Sequence, residues 1–360
     1  MPTGERHQAA ALHGTDPASP VSRATSSSAG RTFYLDRRGS DASSGRSPRT
    51  AWKSLARASS AALRPGDTVL LRHGQVFRGV LRAAASGRNG SRIRFSGYGQ
   101  GAKPQITGGC VKVTGAHIEI EGLDVTDCEW AGITIAGDDS LVSRNRIRRN
   151  VTGVYVQRGA SGTRIVRNTI VNNRRMSVNT VGGDDDSGAF GVLVHGDRTS
   201  IRRNMISGHH APSHDYGTDG AAVEIYGAVG TAVHGNTARR NHAFTELGHS
   251  RTRNTTYSRN LVTSGRPNAT FLVTRGPLDG YGPVRGTIVE HNTVHLSGEG
   301  SEGFVCHAGC APDILKLYRN EIVAVAKVGY ADGRTAGGHN LYWGGQIQFP
   351  LSKGDRVARP

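Results

Sequence analysis

Apolar and polar positions along the chain recur together in one short motif, apolar-x-x-Asn-x-apolar. Its first clear copy spans 142–147 and its last spans 317–322, with weaker end copies at Gly122 and Asn340. Asn tolerates the left-handed backbone of a tight bend, and stacked Asn side chains can hydrogen-bond along a ladder. The motif therefore predicts a solenoid with a structural Asn corner, formed by Asn145, Asn168, Asn204, Asn236, Asn260, Asn292 and Asn320.

The spacing of the motif predicts a minimal coil of 23 residues, the interval from Asn145 to Asn168, with insertions in the longer coils. A solenoid tolerates such insertions because each coil contacts only its neighbours. Two of the larger insertions, 172–189 and 207–220, come just before apolar strands, and we expect them to wall one face of the solenoid.

A second set of strands alternates apolar and variable residues with the period of two that half-buried strands require. One side of each strand is therefore expected in the core and the other on the surface. These strands lie at 132–136, 153–157, 191–195, 222–226, 244–247, 271–274 and 304–307.

The segment that precedes the repeats predicts a cap. Residues 48–62 have helical composition and could cover the open end of the solenoid, which needs protection from edge pairing. A strand-rich stretch follows at 68–106. With Gly at 50 positions and few large aromatic residues, the composition also favours short strands and tight turns over packed helices.

These features resemble a known group of proteins. Phe-Tyr-Leu-Asp at 33–36, Gly-Ser-Asp at 39–41, Ala-Trp-Lys-Ser-Leu at 51–55, Pro-Gly-Asp at 65–67 and Gly-Tyr-Gly at 97–99 ahead of Pro104 resemble the amino-terminal cap of secreted β-helix proteins of the pectate-lyase-like superfamily. The resemblance extends over about 31–345. It implies an all-β, right-handed parallel β-helix with an N-terminal capping helix. It leaves the reaction open, because the superfamily includes polysaccharide lyases, glycoside hydrolases, sugar epimerases and phage tailspikes.

The chain divides into four expected segments. Residues 1–30 are expected to be a disordered leader or linker, without an apolar run of signal-peptide length. Residues 31–110 form the cap and first coils, 111–346 the β-helix repeats, and 347–360 a C-terminal tail. The resemblance implies an extracellular location. No stretch approaches the roughly 20 apolar residues of a membrane span, so no membrane partner is expected.

The charge of +17 and the pI near 10.4 favour a polyanionic partner, either nucleic acid or acidic polysaccharide. A genome-wide preference for Arg would produce the same excess, so charge alone does not identify the partner. The four Cys residues allow three pairings. Two disulfides, with Cys110 bonded to Cys128 across neighbouring coils, and buried free thiols both remain open.

Two carboxylates are expected on one surface. Aligning 145–155 with 236–246 puts Glu246 in the outward column of Tyr155, which also holds Glu224. The other members of this predicted column are Thr134, Leu193 and Leu272. Glu224 and Glu246 are 22 residues apart, about one coil, so their strands should be neighbours at ~4.8 Å. Like charges that close require a cation, a proton or a reaction; otherwise one Glu points inward or pairs with an Arg.

A second outward column is predicted to hold Gln157, His195 and Tyr226. These side chains offer hydrogen bonds and aromatic rings on which a sugar could stack. The predicted substrate-binding set is Tyr155, Gln157, Tyr226, His210 and His242, and His195 is a candidate catalytic residue.

The insertion at 208–220 concentrates reactive side chains on a loop, where a rigid scaffold often carries function. His214 or His210 could act as a general base, His209 is a further candidate, and Tyr216 could donate a proton to a leaving oxygen. A Ca²⁺ ion could instead bind there. The predicted ligands are Asp215, Asp219, Glu224 and Glu246, while the run at 184–186 is either a solvated loop or a further Ca²⁺ site.

The residues favour a carbohydrate-active enzyme. A lyase that cleaves an acidic, uronate-containing polysaccharide by β-elimination ranks first, since His, Tyr, Arg and Ca²⁺ would supply its base, acid and cation. A retaining glycoside hydrolase using Glu224 and Glu246 ranks second, and a sugar epimerase shares the lyase's first step. A non-catalytic carbohydrate-binding β-helix ranks third. Nucleic-acid binding ranks last because aromatic residues are too scattered for a stacking platform.

Overall fold

The computed structural model describes residues 30–358. Residues 1–29 of the expected leader and the last two residues of the expected tail lie outside the described residues. Within them, the chain forms 35 strands, one α-helix and one 3₁₀ turn. No described helix has the length and apolar character needed to cross a membrane.

The strands of the first third are β1 (Thr32–Leu35), β2 (Thr68–Arg72), β3 (Val76–Ala83), β4 (Ile93–Tyr98), β5 (Gln105–Val113), β6 (Ile118–Glu121), β7 (Asp124–Cys128), β8 (Ala131–Ile135), β9 (Leu141–Ser143), β10 (Arg146–Arg148), β11 (Thr152–Val156) and β12 (Arg164–Val166). Those of the middle third are β13 (Thr169–Val171), β14 (Met176–Val178), β15 (Ser187–Gly188), β16 (Phe190–Val194), β17 (Ser200–Arg202), β18 (Met205–Ser207), β19 (Ala211–Ser213), β20 (Gly217–Asp219), β21 (Ala221–Tyr226), β22 (Ala232–His234), β23 (Thr237–Arg239) and β24 (Ala243–Gly248). The last are β25 (Thr256–Ser258), β26 (Leu261–Ser264), β27 (Thr270–Arg275), β28 (Thr287–Glu290), β29 (Thr293–Leu296), β30 (Glu302–His307), β31 (Leu315–Tyr318), β32 (Glu321–Ala331), β33 (Ala336–Gly338), β34 (Leu341–Gln348) and β35 (Arg356–Ala358).

These strands wind into a parallel β-helix. The first sheet is a row of 12 parallel strands, in the order β1-β2-β4-β6-β9-β12-β17-β22-β25-β28-β31-β33. The second sheet runs through β7, β10, β13, β18, β23, β26 and β29, and the third through β8, β11, β16, β21, β24, β27 and β30. The long strands β5 and β32 pair with both. The prediction of at least seven coils is therefore confirmed.

The predicted Asn corner is confirmed as a continuous, buried hydrogen-bond ladder. The main-chain N–H of Asn145 donates to Oδ1 of Asn168 at 2.9 Å, and the side-chain Nδ2 of Asn145 donates to the same atom at 3.1 Å. The same pair of bonds links each later Asn to the next, as far as Asn340. The ladder ends at Asp355, whose Oδ1 accepts both bonds from Asn340. The side-chain amide of every ladder Asn is thus hydrogen-bonded to the neighbouring coils.

A second ladder lies five residues after the first. Asn150 donates its main-chain N–H to Oδ1 of Asn173, and the N–H of Asn173 donates to Nδ1 of His209 at 3.3 Å. The N–H of His209 donates to Oδ1 of Asn241 at 3.0 Å. His209 is fully buried, so its suggested catalytic role is wrong: its ring replaces an Asn side chain in a structural column.

The N-terminal cap contains less helix than expected. In place of a helix over 48–62, a 3₁₀ turn spans Pro48–Thr50 and α1 spans Leu55–Ser59, with the hydroxyl of Ser54 accepting from the N–H of Arg57 as its N-cap. Between them, Trp52 is buried and stacks on Phe33 at 4.7 Å between ring centroids. Packing of Trp52 in an extended segment therefore outweighs the helical composition around it.

The core runs the length of the coils and is built from inward aliphatic residues such as Val142, Ile165, Ile201 and Val233. Both predicted disulfides form, Cys110–Cys128 between neighbouring coils and Cys306–Cys310 within one turn, which excludes the free-thiol alternative. At the other end of the chain, β35 pairs in parallel with β34. Part of the segment 347–360 thereby belongs to the sheet.

Candidate active site

Glu224 and Glu246 lie directly opposite each other on the neighbouring parallel strands β21 and β24. Both side chains are partly exposed on the outer face of the third sheet. The predicted register is thereby confirmed, and it continues back to Leu193 and Tyr155. On the next coil, however, Glu246 pairs with Val273.

The placement of Leu272 in this column was wrong by one residue. Leu272 pairs with Thr245 and is fully buried. Phe271 and Leu272 are consecutive buried residues, because the strand enters the third sheet from a corner before regular alternation begins. Two adjacent apolar residues offer no sequence signal that tells which of them starts the alternation.

The two Glu side chains face a cavity of about 960 Å³. The predicted insertions contribute walls at 184–187 and 216–219, as expected, and a loop at 278–281 supplies another wall. Six of the predicted site residues line it: Glu224, Glu246, Tyr216, Asp219, Tyr226 and His242.

The surroundings of the two Glu residues differ. Burial raises the pKa of Glu224 well above its usual value, the neighbouring Glu246 and Asp219 raise it further, and Arg275 opposes them. Glu246 instead forms an ion pair with the guanidinium of Arg275. The two carboxyl groups are therefore in different environments, Glu224 in one that favours its protonated form and Glu246 in an ion pair, and such a difference is what paired-carboxyl catalysis depends on.

Asp219 adds a third carboxyl group at the same place. Burial, and next the charge of Glu246, raise the pKa of Asp219 to about 7. Its Oδ1 accepts a hydrogen bond from the N–H of Gly220 at 2.6 Å, which opposes that shift. Near neutral pH Asp219 therefore exchanges a proton readily within the field of the Glu pair.

Arg275 is a site residue that sequence reasoning missed. Its Nη1 donates to the carbonyl of Leu247 at 2.8 Å, and its Nε lies 3.5 Å from a carboxylate oxygen of Asp279. That carboxylate oxygen also lies 3.6 Å from Nδ1 of His307. Arg275 and His307 are register partners on β27 and β30, and they continue the column of His195 and Tyr226. Extending that column by two coils would have found Arg275, and a third coil would have added His307.

The predicted Ca²⁺ ligands divide into two groups. Asp219, Glu224 and Glu246 line the cavity, whereas Asp215 lies with Asp185 and Asp186, ligand oxygens of these three being within 4.8 Å of one another. Asp186 accepts from the hydroxyl of Ser213 and from the N–H groups of Thr180 and Asp215. Among residues 30–358 no four-carboxylate site of the predicted composition forms. Carboxylate oxygens suit Ca²⁺, but hydrogen bonds already hold this cluster together.

Tyr216 reaches across the mouth of the cavity between the two insertions. It is 50 % exposed, and its hydroxyl donates to Asp184 at 2.7 Å. Burial, and then this hydrogen bond, raise the pKa of Tyr216. The hydroxyl thus remains protonated and joins the two loops.

The structure places the other predicted residues outside the cavity. His214 is exposed, and His210 has a pKa lowered to about 4 by burial and by Arg266. Tyr155, Gln157 and His195 lie on earlier coils of the same face. His195 contacts Tyr155 and Tyr226, with ring centroids 5.3 and 5.7 Å away. Burial, and then Arg158, lower the pKa of His195, so it is a neutral ring in an aromatic strip beside the cavity.

Comparison with known proteins agrees with this architecture. A family described as "Right handed beta helix region" matches residues 77–188. No curated protein matches the sequence significantly.

Similar solved structures include a GH136 lacto-N-biosidase from Eubacterium ramulus, with 15 % identity, a TM-score of 0.71 and coverage of 92 % of this chain and 68 % of that one. An alginate lyase from Paenibacillus sp. has 19 % identity and a TM-score of 0.60, with 88 % and 99 % of the two chains covered. A pectate lyase has 15 % identity and a TM-score of 0.61, with 92 % and 79 % covered. The chain therefore has the right-handed parallel β-helix fold that these solved structures share.

Proposed function

We propose that the protein is a retaining glycoside hydrolase that cleaves a neutral glycan in the cavity above β21 and β24. The observation that carries this proposal is the direct register of Glu224 and Glu246, one favouring the protonated form and the other ion-paired with Arg275. Carboxyl groups about 5 to 5.5 Å apart are typical of retaining hydrolysis, and neighbouring strands give a backbone spacing of ~4.8 Å.

In the first step a carboxylate oxygen of Glu246 attacks the anomeric carbon and forms a glycosyl ester. The bond to the leaving oxygen breaks as Glu224 gives that oxygen its proton. Water then attacks the same carbon, Glu224 accepts a proton from it, and the ester bond to Glu246 breaks. The ion pair with Arg275 holds the Glu246 carboxylate in place between turnovers.

The charge of the cavity favours this reaction over the lyase ranked first from the sequence. Seven carboxyl groups line it, against one guanidinium and two imidazoles. The guanidinium is that of Arg275, already paired with Glu246. A uronate entering this cavity would meet like charges at close range without a free cation. A neutral sugar avoids that cost and can use Tyr226 and Tyr281 as stacking surfaces.

Elimination remains the second candidate because Arg275, His307 and Tyr281 adjoin one another in the cavity. They comprise a cation, a base and an acid, the groups that β-elimination requires. Solved structures of this fold named as alginate and pectate lyases accord with it, as the lacto-N-biosidase accords with hydrolysis. Both candidate reactions are compatible with the expected extracellular location of the protein.

The test uses a panel of neutral and uronate-containing glycans, with reducing ends and unsaturated products measured in parallel. We expect reducing ends without unsaturated products. Glu224→Gln and Glu246→Gln should each lower turnover at least about a hundredfold, while the exposed control Glu321→Gln retains it. Azide should restore turnover to Glu246→Ala and give a glycosyl azide of inverted configuration.

Unsaturated products from a uronate polymer would replace hydrolysis with elimination. Loss of that activity on chelation would then support the predicted Ca²⁺. Full turnover in both Glu→Gln variants on a cleaved substrate would remove the Glu pair from the mechanism altogether.

A further inference from the structure

A second concave surface lies on the first sheet, a different face from the Glu pair. It encloses about 400 Å³ and is formed by β6, β9, β12, β17 and β22 and the turns that follow β9, β12 and β17. We call it the basic groove. Its ionisable lining consists of Arg144, Arg164, Arg167, Arg202, Arg203, His234 and a single carboxylate, Glu119.

Three of these arginines occupy the turn immediately before a ladder Asn. Arg144, Arg167 and Arg203 have φ of 53°, 57° and 54°. The left-handed region costs an L-residue about 1–2 kcal/mol, and Gly occupies the same position in the turns at Gly122 and Gly235. The turn geometry thus favours Gly or Asn, and it gives no reason for a stack of arginines.

Most of the groove arginines have no carboxylate partner. On the second sheet and its adjoining turn, Arg148 and Arg149 pair with Asp124 and Asp127. In the groove, Arg144 pairs with Glu121. Within the described part of the chain the remaining four, namely Arg164, Arg167, Arg202 and Arg203, have no carboxylate within 4.0 Å.

These cations form a regular array. Arg144, Arg167 and Arg203 follow the paired parallel strands β9, β12 and β17, so these three arginines repeat along the axis at the ~4.8 Å spacing of parallel strands. On the strands themselves, Arg202 lies opposite His234. Unpaired like charges in such a row repel one another, and a ligand with matching negative charges would relieve that repulsion.

We propose that the basic groove binds a linear acidic polysaccharide bearing one carboxylate per sugar, laid along the axis of the β-helix. The guanidinium groups fit planar carboxylates with two hydrogen bonds each. The groove residues include no Phe, Tyr or Trp, so the groove lacks the large aromatic platform on which bases of a single-stranded nucleic acid stack. This surface would anchor the protein to an acidic matrix, while the separate, acidic cavity receives a neutral chain.

The test measures binding to immobilised polygalacturonate at low ionic strength. The variant R202Q/R203G removes two groove charges and places at 203 the residue that the next turn carries at Gly235. The control R239Q/R240G removes two exposed arginines on another face, the second also left-handed, with φ of 54°. Both variants therefore lose the same charge from the same kind of backbone. R164Q, at an exposed strand position, tests the groove without altering a turn.

We expect R202Q/R203G to weaken binding about tenfold or more, R164Q to weaken it severalfold, and the control to change it less than about twofold. Binding should fall steeply with salt and be unaffected by Glu224→Gln, which separates this proposal from the hydrolase. Equal losses in the two double variants would show that only net charge matters and would overturn the proposal. Unchanged binding in R202Q/R203G, or tighter binding to a single-stranded oligonucleotide than to polygalacturonate, would also overturn it.

Discussion

His209→Asn should make the protein more resistant to mild acid. In the second ladder, Nδ1 of His209 accepts from the N–H of Asn173, and Nε2 faces the carbonyl of Ile170 at 3.2 Å. The neutral ring with its proton on Nε2 satisfies both contacts, whereas the imidazolium loses the acceptor. Burial accordingly lowers the pKa of His209 from 6.5 to about 4. The unfolded chain therefore takes up this proton more readily than the native protein.

The magnitude follows from linkage between protonation and folding. The contribution of His209 to the free energy of unfolding is fully present above pH 6.5 and is lost as the pH falls toward the native pKa of about 4. At 1.36 kcal/mol per pKa unit, the loss is about 2 kcal/mol by pH 5 and about 3 kcal/mol below pH 4. Asn at this position carries no proton and matches Asn150, Asn173 and Asn241 in the same ladder.

Urea denaturation between pH 8 and pH 4, followed by circular dichroism, measures the effect. We expect the difference in unfolding free energy between His209→Asn and the wild type to shift in favour of the variant by about 2 kcal/mol from pH 8 to pH 5. The control His291→Asn, at an exposed left-handed turn, should leave the pH dependence unchanged. Parallel pH curves for His209→Asn and the wild type would refute the assignment of His209 as a neutral ladder residue.

Three further predictions concern the ladder, the site and the core. Asn236→Ala removes two donated and two accepted hydrogen bonds and should lower the unfolding free energy by about 3–5 kcal/mol in urea denaturation, against almost no change for the exposed Asn89→Ala. Arg275→Gln removes the group that opposes the raised pKa of Glu224, so the alkaline limb of the kcat/KM profile should move to higher pH while kcat falls; an unmoved limb would contradict the assigned acid. Tyr257→Phe leaves buried Thr245 without its 2.6 Å hydroxyl partner, and calorimetry should show a loss of about 1–2 kcal/mol.

The sequence predicted the features that repeat. The Asn corner recurs in seven copies, and each copy constrains the register of the next, so the position of Glu224 beside Glu246 followed from alignment alone. The same spacing also holds the second ladder, since Asn150, Asn173 and Asn241 each stand five residues after a first-ladder Asn. His209 interrupts this Asn pattern in one coil. The reactive side chains around it suggested a catalytic role, whereas its position in the repeat indicates a structural one.

Features that occur once were not predictable in this way. Loops at 184–187, 216–219 and 278–281 form much of the cavity wall. Their conformations depend on contacts such as that between Tyr216 and Asp184. The position of Arg275 follows from extending the column of His195 and Tyr226, but its role depends on a neighbour one coil away and on burial that no local pattern reports. The division of the predicted Ca²⁺ ligands into two groups has the same origin, since the loop that carries Asp215 folds away from the sheet.

Asp355 gives the first ladder a direction and an end. Every Asn in it donates its main-chain N–H and one Nδ2 hydrogen bond toward the C-terminal coil, and its Oδ1 accepts from the N-terminal one. An Asn at the last position would therefore present an amide donor to whatever lies beyond. A carboxylate accepts from Asn340 and from the N–H of Ser352 at 2.9 Å, but has no proton to offer onward. The ladder in the described residues thus ends on a group that cannot extend it. End-to-end stacking of a second molecule would require a hydrogen-bond donor at this position, but the carboxylate of Asp355 offers only acceptors. This mismatch disfavours assembly of the β-helix into filaments.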